Sequence, residues 1–196
     1  MDWINHTISV RNIRGTNDRN RHSAARNLAE DCNASIICLV ESKLEHVDCF
    51  IITQMLGARY DGFFFLPAVG TAGGIIVAWQ TRLVTVTNHR VDDFSLTTFF
   101  SFADGGEWWH ITVYGPTIDT LKPLFLADLR EIRLCCNVML TVAGDFDLIL
   151  EAADKNQRVI NRRMMGRFSV GNCVSQHFIY LLHCPELNSG VEISRK

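Results

Sequence analysis

The chain has 196 residues, 47% of them hydrophobic, and a formal net charge of −2 at pH 7. That length suits one domain with a sizeable core, and the balanced composition argues against disorder throughout. The small net charge excludes a general electrostatic attraction to nucleic acid, so binding of that kind would need a local basic patch.

The cysteine pattern favours a reducing compartment. The seven cysteines are irregularly spaced and form no CxxC pair. Cys38 and Cys135 lie in apolar runs, where they are interpreted as small core residues. No signal-peptide pattern and no apolar run of membrane-spanning length is present. We therefore expect a nuclear or cytoplasmic protein that is not secreted and does not bind membranes.

The first sixty residues predict alternating strands and helices. Residues 4–13 predict a strand, and the apolar spacing over residues 24–32 predicts a helix. The continuous apolar run "SIICLVES" predicts a buried strand. Residues 44–56 predict a second helix, with Gly57 as its C-terminal cap.

The middle of the chain is rich in strand-forming residues. Residues 60–114 contain five β-branched and aromatic runs separated by turn residues, which predicts successive hairpins. Residues 120–135 predict a helix with Pro123 in its first turn, and "VMLTVAG" predicts a further buried strand. This order favours an α+β sandwich in which helices cover two sheets. Beyond residue 168 only "FIYLL" is strongly apolar, which leaves open a short helix, a strand, or sequence foreign to the domain.

Polar residues follow several of the predicted strands. In sandwich folds, functional side chains are concentrated where strands end in loops. Each such residue alone is more typical of a solvated loop or a turn. The residues concerned are Asn12, Glu41, Tyr114, Asp145 and Asp147.

Five motifs occur in the order seen in one known family. They are "NIRG", "LVESK", "GTAGGIIVAW", "VYGP" and "AGDFD". The chain thereby resembles the endonuclease/exonuclease/phosphatase family, and most closely the endonuclease domains of plant LINE-type (non-LTR) retrotransposons. Lys155 and Phe168 match two further positions of that pattern. The resemblance covers roughly residues 8–168 and implies a DNase-I-like two-sheet α/β sandwich, incomplete at its C-terminus.

The resemblance also implies a chemistry, namely phosphodiester hydrolysis assisted by Mg²⁺ or Mn²⁺. Glu41 would be the principal metal ligand, with Asn12 beside it. Tyr114 would contact the phosphate or the metal shell, and Asp145 would orient the attacking water. Asp147 would occupy the substrate-contacting position. Hard oxygen ligands of this kind suit Mg²⁺, which can polarise the phosphoryl group.

Three departures from the family pattern predict weak or lost activity. Asp147 stands where the family has an asparagine, so a hydrogen-bond donor to the phosphate is replaced by an acceptor. The terminal S-D-H motif is missing, and His177 in "SQH" follows Phe168 too closely to replace it. His110 is interpreted as structural. The end of the family domain is also missing, which would leave a sheet edge unpaired.

These features predict a partial catalytic-type domain over residues 1–168 and a divergent tail over residues 169–196. We expect DNA as the partner of intact relatives, with weak binding here, and a monomeric or aggregation-prone chain. Two alternatives stay open. One is a non-catalytic retroelement remnant that still binds a cation or nucleic acid, and the other is a small-molecule phosphatase of the same fold.

Overall fold

A computed structural model describes residues 7–15, 19–70, 72–136, 138–146, 178–182 and 191–194. Within those ranges it contains ten strands and three helices. In chain order these are β1 (Thr7–Asn12), α1 (Arg19–Asp31), β2 (Ile36–Val40), α2 (Cys49–Leu56), β3 (Gly62–Val69), β4 (Ala72–Trp79), β5 (Val84–Val91), β6 (Ser95–Phe102), β7 (Glu107–Tyr114), α3 (Lys122–Cys135), β8 (Leu140–Asp145), β9 (Phe178–Leu182) and β10 (Val191–Ser194). Over these ranges no helix has both the length and the apolar character needed to span a membrane.

The strands form two five-stranded sheets. The first sheet has the order β10-β1-β2-β4-β3 and the second has the order β5-β6-β7-β8-β9. Parallel pairing joins β1 to β2, β7 to β8 and β8 to β9, and the other neighbours are antiparallel. The two-sheet α+β sandwich predicted from the sequence is therefore confirmed.

The two sheets pack face to face through alternate residues of their strands. Val10, Cys38 and Val77 of the first sheet share one apolar cluster with Phe100 and Trp108 of the second. Because side chains alternate along a strand, the intervening residues of β2 and β4 point the other way. That outer face packs with residues of α1 and α2 in a second cluster. The strand β2 is consequently buried on both faces, as its continuous apolar sequence predicts.

The helix α3 covers the outer face of the second sheet. Phe125 and Ile132 are buried and Leu129 packs beside them, all against the outward residues of β7 and β8. A proline lies in the first turn of α3, where its missing N–H costs no helical hydrogen bond.

The prediction that Cys135 is a core residue was wrong, because this residue lies at the end of α3 and is exposed. Cys38 is buried as predicted, and its burial raises the pKa of the thiol to about 12.

The helix α2 is shorter than predicted. It begins at Cys49, because the Asp48 carboxylate accepts a hydrogen bond from Ile51 N at 2.8 Å and caps the first turn. The preceding residues form no helix, and Leu44 O instead accepts a hydrogen bond from Ala68 N at 2.8 Å. Leu44 packs against the second cluster. Its apolar side chain extends the helix-like spacing in the sequence, although the residue lies before the helix. Gly57 caps the C-terminus, as predicted.

The C-terminal strands lie one in each sheet. The run "FIYLL" forms β9, which pairs in parallel with β8, while β10 pairs antiparallel with β1. The proposed boundary at residue 168 lies outside the described residues, as do Lys155, Phe168, Asp147 and His177. The described part of the tail therefore supplies sheet partners for β1 and β8.

Candidate functional site

Four polar residues meet at one end of the sandwich. In the parallel pair of β7 and β8, Tyr114 lies opposite Asp145. In the parallel pair of β1 and β2, Asn12 lies opposite Val40, and Glu41 is the next residue along the chain. Parallel strands end at the same edge of their sheet, so each sheet brings two functional side chains to the same end. Asn12, Glu41, Tyr114 and Asp145 are called the end cluster below.

Hydrogen bonds join the end cluster across the gap between the sheets. Asn12 Nδ2 donates to Asp145 Oδ2 at 2.9 Å, and Tyr114 Oη lies 3.5 Å from Glu41 Oε1. Asn12 Oδ1 accepts a hydrogen bond from the backbone N–H of Arg14 at 3.0 Å. That second bond fixes which end of the amide faces Asp145. Two side-chain contacts therefore connect the two sheets at this end of the sandwich.

The backbone of Glu41 has an unusual conformation. Its φ is +60°, and that of Lys43 is +58°, a region that residues with a side chain seldom adopt. The Glu41 carbonyl accepts a hydrogen bond from Gly15 N at 2.6 Å, and Ile13 N donates to Val40 O at 3.0 Å. Left-handed residues of this kind cost roughly 1–3 kcal/mol and are concentrated at functional sites.

Two glycines bring the second sheet close to its own following loop. Gly115 N donates to Asp145 O at 2.6 Å, and a Cβ on Gly115 would lie only 2.0 Å from Phe146 O. Gly144 would meet Val113 O at 2.1 Å in the same way. Only glycine permits this approach, so the end of β8 and the residue after Tyr114 are fixed relative to each other.

The end cluster carries two carboxylates, those of Glu41 and Asp145, one from each sheet's end. Glu41 is half-buried, and in the part of the chain that the structure describes it makes no ion pair. No group of three or more His, Cys, Asp or Glu side chains among those residues is arranged to hold a metal ion. Two carboxylates nonetheless fit Mg²⁺, which binds through one or two carboxylates and keeps several waters. The Asn12 amide oxygen instead accepts the hydrogen bond from Arg14 N. A zinc-type site is disfavoured, since no His or Cys belongs to the cluster.

The predicted site residues are therefore placed as follows. The structure brings Asn12, Glu41, Tyr114 and Asp145 together, whereas Asp147 lies outside the described residues. His110 is fully buried, and its Nδ1 lies 2.8 Å from Thr141 Oγ1. Burial lowers the pKa of His110 to about 3, so the ring is neutral at pH 7. The hydrogen bond of its ring goes to Thr141 and not to a member of the end cluster.

Sequence reasoning missed the residues that support Glu41. Ser42 N donates to Gly74 O and Lys43 N donates to Gly73 O, each at 3.0 Å. The glycine pair belongs to the quoted run "GTAGGIIVAW", but its sequence alone shows no partner. The φ angles of Gly73 and Gly74 are +76° and +86°. These positive values explain why glycine occupies both positions.

Comparison with solved structures finds enzymes that act on nucleic acids. The endonuclease domain of TRAS1, a telomere-specific non-LTR retrotransposon, aligns with a TM-score of 0.62 and 12% identity, covering 85% of this chain and 72% of that one. The AP endonuclease LMAP from Leishmania major aligns with a TM-score of 0.59 and 18% identity, covering 85% of this chain and 66% of that one. D. rerio TDP2, complexed with a single-strand DNA product, aligns with a TM-score of 0.53 and 15% identity, covering 74% of this chain and 62% of that one.

No family model matches the sequence, and no curated protein matches it at a significant level. Identities this low establish the architecture alone, and the chain spans about two thirds of the length of these structures. Two mixed sheets packed face to face, with helices on their outer faces, are common to all of them. The chain has the DNase-I-like fold.

Proposed function

We propose that this chain is a divalent-cation-dependent phosphodiesterase domain of the endonuclease type, with DNA as its substrate and an origin in a LINE-type non-LTR retrotransposon. Its activity is weak compared with that of complete relatives. The supporting observation is the end cluster, in which Asn12, Glu41, Tyr114 and Asp145 join the ends of both sheets.

The residues of the end cluster divide the work of phosphodiester hydrolysis. Glu41 supplies a carboxylate that would bind the cation, Mg²⁺ or Mn²⁺. The positive charge of this cation would offset the negative charge of the phosphate. When bound, that cation supplies Lewis-acid polarisation of the phosphoryl group and stabilises the leaving oxygen. The Tyr114 hydroxyl is a donor that can bind a phosphate oxygen.

Asp145 is proposed to orient the attacking water. Its Oδ2 accepts the hydrogen bond from Asn12 Nδ2, and an ionised carboxylate has acceptor sites enough to accept a further hydrogen bond from water. Asn12 is itself oriented by the Arg14 backbone N–H. The water and the phosphate would thus be held by side chains that are fixed before the substrate binds, which is how positioning lowers a reaction barrier.

Two departures in the sequence keep the proposed activity low. An ionised Asp147 repels the charge that develops on the phosphate, where an asparagine would donate a hydrogen bond. No S-D-H motif occurs in these 196 residues, and an acid–base group of that kind typically contributes a factor of about 10²–10⁴. If cleavage is lost altogether, the chain is a retroelement remnant that keeps only the binding capacity of the end cluster.

Nicking of supercoiled plasmid with Mg²⁺ tests the proposal. We expect slow conversion to the relaxed form that requires the cation and is removed by EDTA. Release of phosphate from small phosphorylated molecules, without plasmid nicking, would instead favour the small-molecule phosphatase. Cation binding without either reaction would favour the remnant.

A further inference from the structure

The glycine pair of β4, Gly73 and Gly74, lies directly behind the loop that carries Glu41. Both carbonyls accept backbone hydrogen bonds from that loop, Gly73 from Lys43 N and Gly74 from Ser42 N, each at 3.0 Å. These bonds flank Ser42 and hold the backbone on the C-terminal side of Glu41. The positive φ angles of Glu41 and Lys43 are thereby tied to β4.

At Gly74 there is no room for a side chain. A Cβ there would lie 2.3 Å from Ser42 Oγ and 3.1 Å from Lys43 N. Contacts shorter than 3.0 Å require a shift of one partner. Ser42 is almost fully buried, and its Oγ accepts from Leu44 N at 3.4 Å. We expect the crowding to shift the Ser42–Lys43 backbone, and Glu41 with it.

At Gly73 the missing side chain leaves space for the tyrosine of the end cluster. A Cβ at Gly73 would lie 3.3 Å from Tyr114 Cδ1 and 3.4 Å from Cε1. The ring would have to give by a few tenths of an ångström. Its hydroxyl lies 3.5 Å from Glu41 Oε1, at the outer limit of a hydrogen bond. A small displacement of the ring therefore alters the contact between the two sheets.

We infer that Gly73 and Gly74 are positioning residues of the proposed site: together they set the placement of Glu41 and Tyr114 relative to each other. Gly74 does so through the Ser42–Lys43 backbone, and Gly73 does so through the face of the tyrosine ring. This inference rests on the proposed function for its consequence in catalysis, but the positioning itself can be measured without cleavage.

The test compares three glycine-to-alanine variants that carry a similar backbone strain. Gly73, Gly74 and Gly105 have φ angles of +76°, +86° and +80°. A Cβ on Gly105, in the turn between β6 and β7, would meet nothing within 4 Å. Gly105→Ala is thus the matched control for Gly73→Ala and Gly74→Ala, since it imposes the left-handed strain without the contacts.

The first measurement is the ¹³C chemical shift of the Glu41 side-chain carboxyl, with and without Tyr114→Phe. We expect removal of the tyrosine hydroxyl to change this shift in the native chain and in Gly105→Ala. In Gly74→Ala the response should be lost, and in Gly73→Ala it should be reduced. An equal response in all four backgrounds would overturn the inference.

The second measurement is Mg²⁺ affinity by calorimetry on folded samples. We expect Gly74→Ala to weaken binding about tenfold or more, within the range for residues that orient metal ligands, and Gly105→Ala to leave it unchanged. Equal losses in both variants would show that strain alone is responsible and would overturn the inference. A native chain that binds no Mg²⁺ would contradict the proposed function, while the carboxyl shifts would still decide the positioning.

A compensating substitution covers the case in which Gly74→Ala folds poorly. Ser42→Ala removes the Oγ atom that the new Cβ would approach most closely. We expect the Ser42→Ala/Gly74→Ala pair to regain folding and much of the carboxyl response that Gly74→Ala loses. A pair that folds well but does not regain the carboxyl response would contradict the role assigned to the contact between Gly74 and Ser42.

Discussion

The same two strands carry polar residues of two very different kinds. At their ends, β7 and β8 provide Tyr114 and Asp145 to the end cluster. Four residues earlier, they provide His110 and Thr141 to a set of polar side chains inside the sandwich. There, Trp108 Nε1 donates to Thr141 Oγ1 at 2.8 Å, and the same oxygen contacts His110 Nδ1. Trp108, His110 and Thr141 are called the interior set below.

The difference between them lies in charge and backbone strain. The interior set is neutral, is almost completely buried and lies in regular strand. Thr141 Oγ1 provides a partner for both Trp108 Nε1 and His110 Nδ1, whereas His110 Nε2 has no hydrogen-bond partner among the described residues. The end cluster instead contains two carboxylates, and Glu41 adopts a strained left-handed conformation. Polar residues in the middle of these strands therefore belong to the interior of the sandwich, whereas those at the strand ends form the proposed site.

The largest effect that this comparison predicts is on cation binding. Glu41→Gln removes the charge of the principal proposed ligand, so Mg²⁺ affinity should fall by at least about 100-fold. Calorimetry on the folded protein measures this loss. Glu45→Gln is the matched control, because Glu45 is exposed in the same segment between β2 and α2 and should be neutral. Equal affinities of the native and Glu41→Gln proteins would count against the site.

The interior set predicts a pH dependence of stability. The pKa of His110 is about 3 in the folded protein, because burial disfavours the charged ring, and about 6.5 when the chain is unfolded. Below pH 6.5 the unfolded state gains a proton that the folded state does not bind. Stability is thus fully present above that pH and falls by up to about 1.4 kcal/mol per pH unit toward pH 3.

Urea unfolding at pH 7, 6 and 5 measures this slope. His110→Leu should lack the contribution, because leucine does not titrate. His46→Gln should retain it, since His46 is exposed. If His110→Leu and the native chain lose stability in parallel over this range, the ring is not held neutral by burial.

The smallest predicted effect concerns the residue next to the end cluster in sequence. Asp147→Asn restores the family's donor, so residual Mg²⁺-dependent nicking should rise, but by less than about tenfold because the acid–base group is still missing. Single-turnover nicking assays measure the change. His177→Ala should have no effect. Efficient nicking by the native chain that His177→Ala abolishes would show that "SQH" provides the base.

Much of this fold could be predicted because apolar periodicity reports burial directly. The run from Ile36 to Val40 predicts a doubly buried strand, and the strand has both faces covered. The start of α2 could not be predicted, because Leu44 and Val47 are apolar for packing while Asp48 sets the helix start. The pairing of β10 with β1 depends on contacts between distant residues, which periodicity does not encode.

For the candidate site, the motifs identify side chains but not the conformation that holds them. Asn12, Glu41, Tyr114 and Asp145 could be selected as polar residues that follow apolar runs. The hydrogen bond from Asn12 to Asp145 could not be predicted in this way, since the two residues are 133 positions apart in the chain. The left-handed φ of Glu41 is equally hidden, because it is imposed by backbone bonds to Gly15 and to β4.

The most direct test compares two substitutions in β8, Asp145→Asn and Thr141→Val, by Mg²⁺ calorimetry and by urea unfolding without the cation. Asp145→Asn should weaken Mg²⁺ binding at least about tenfold and change the free energy of unfolding by less than about 1 kcal/mol. Thr141→Val should leave Mg²⁺ binding unchanged and lower the free energy of unfolding by about 1–3 kcal/mol, because the buried Trp108 Nε1 and His110 Nδ1 lose their hydrogen-bond partner. If both variants lost Mg²⁺ affinity and stability to the same extent, the proposed difference in role between the end cluster and the interior set would be contradicted.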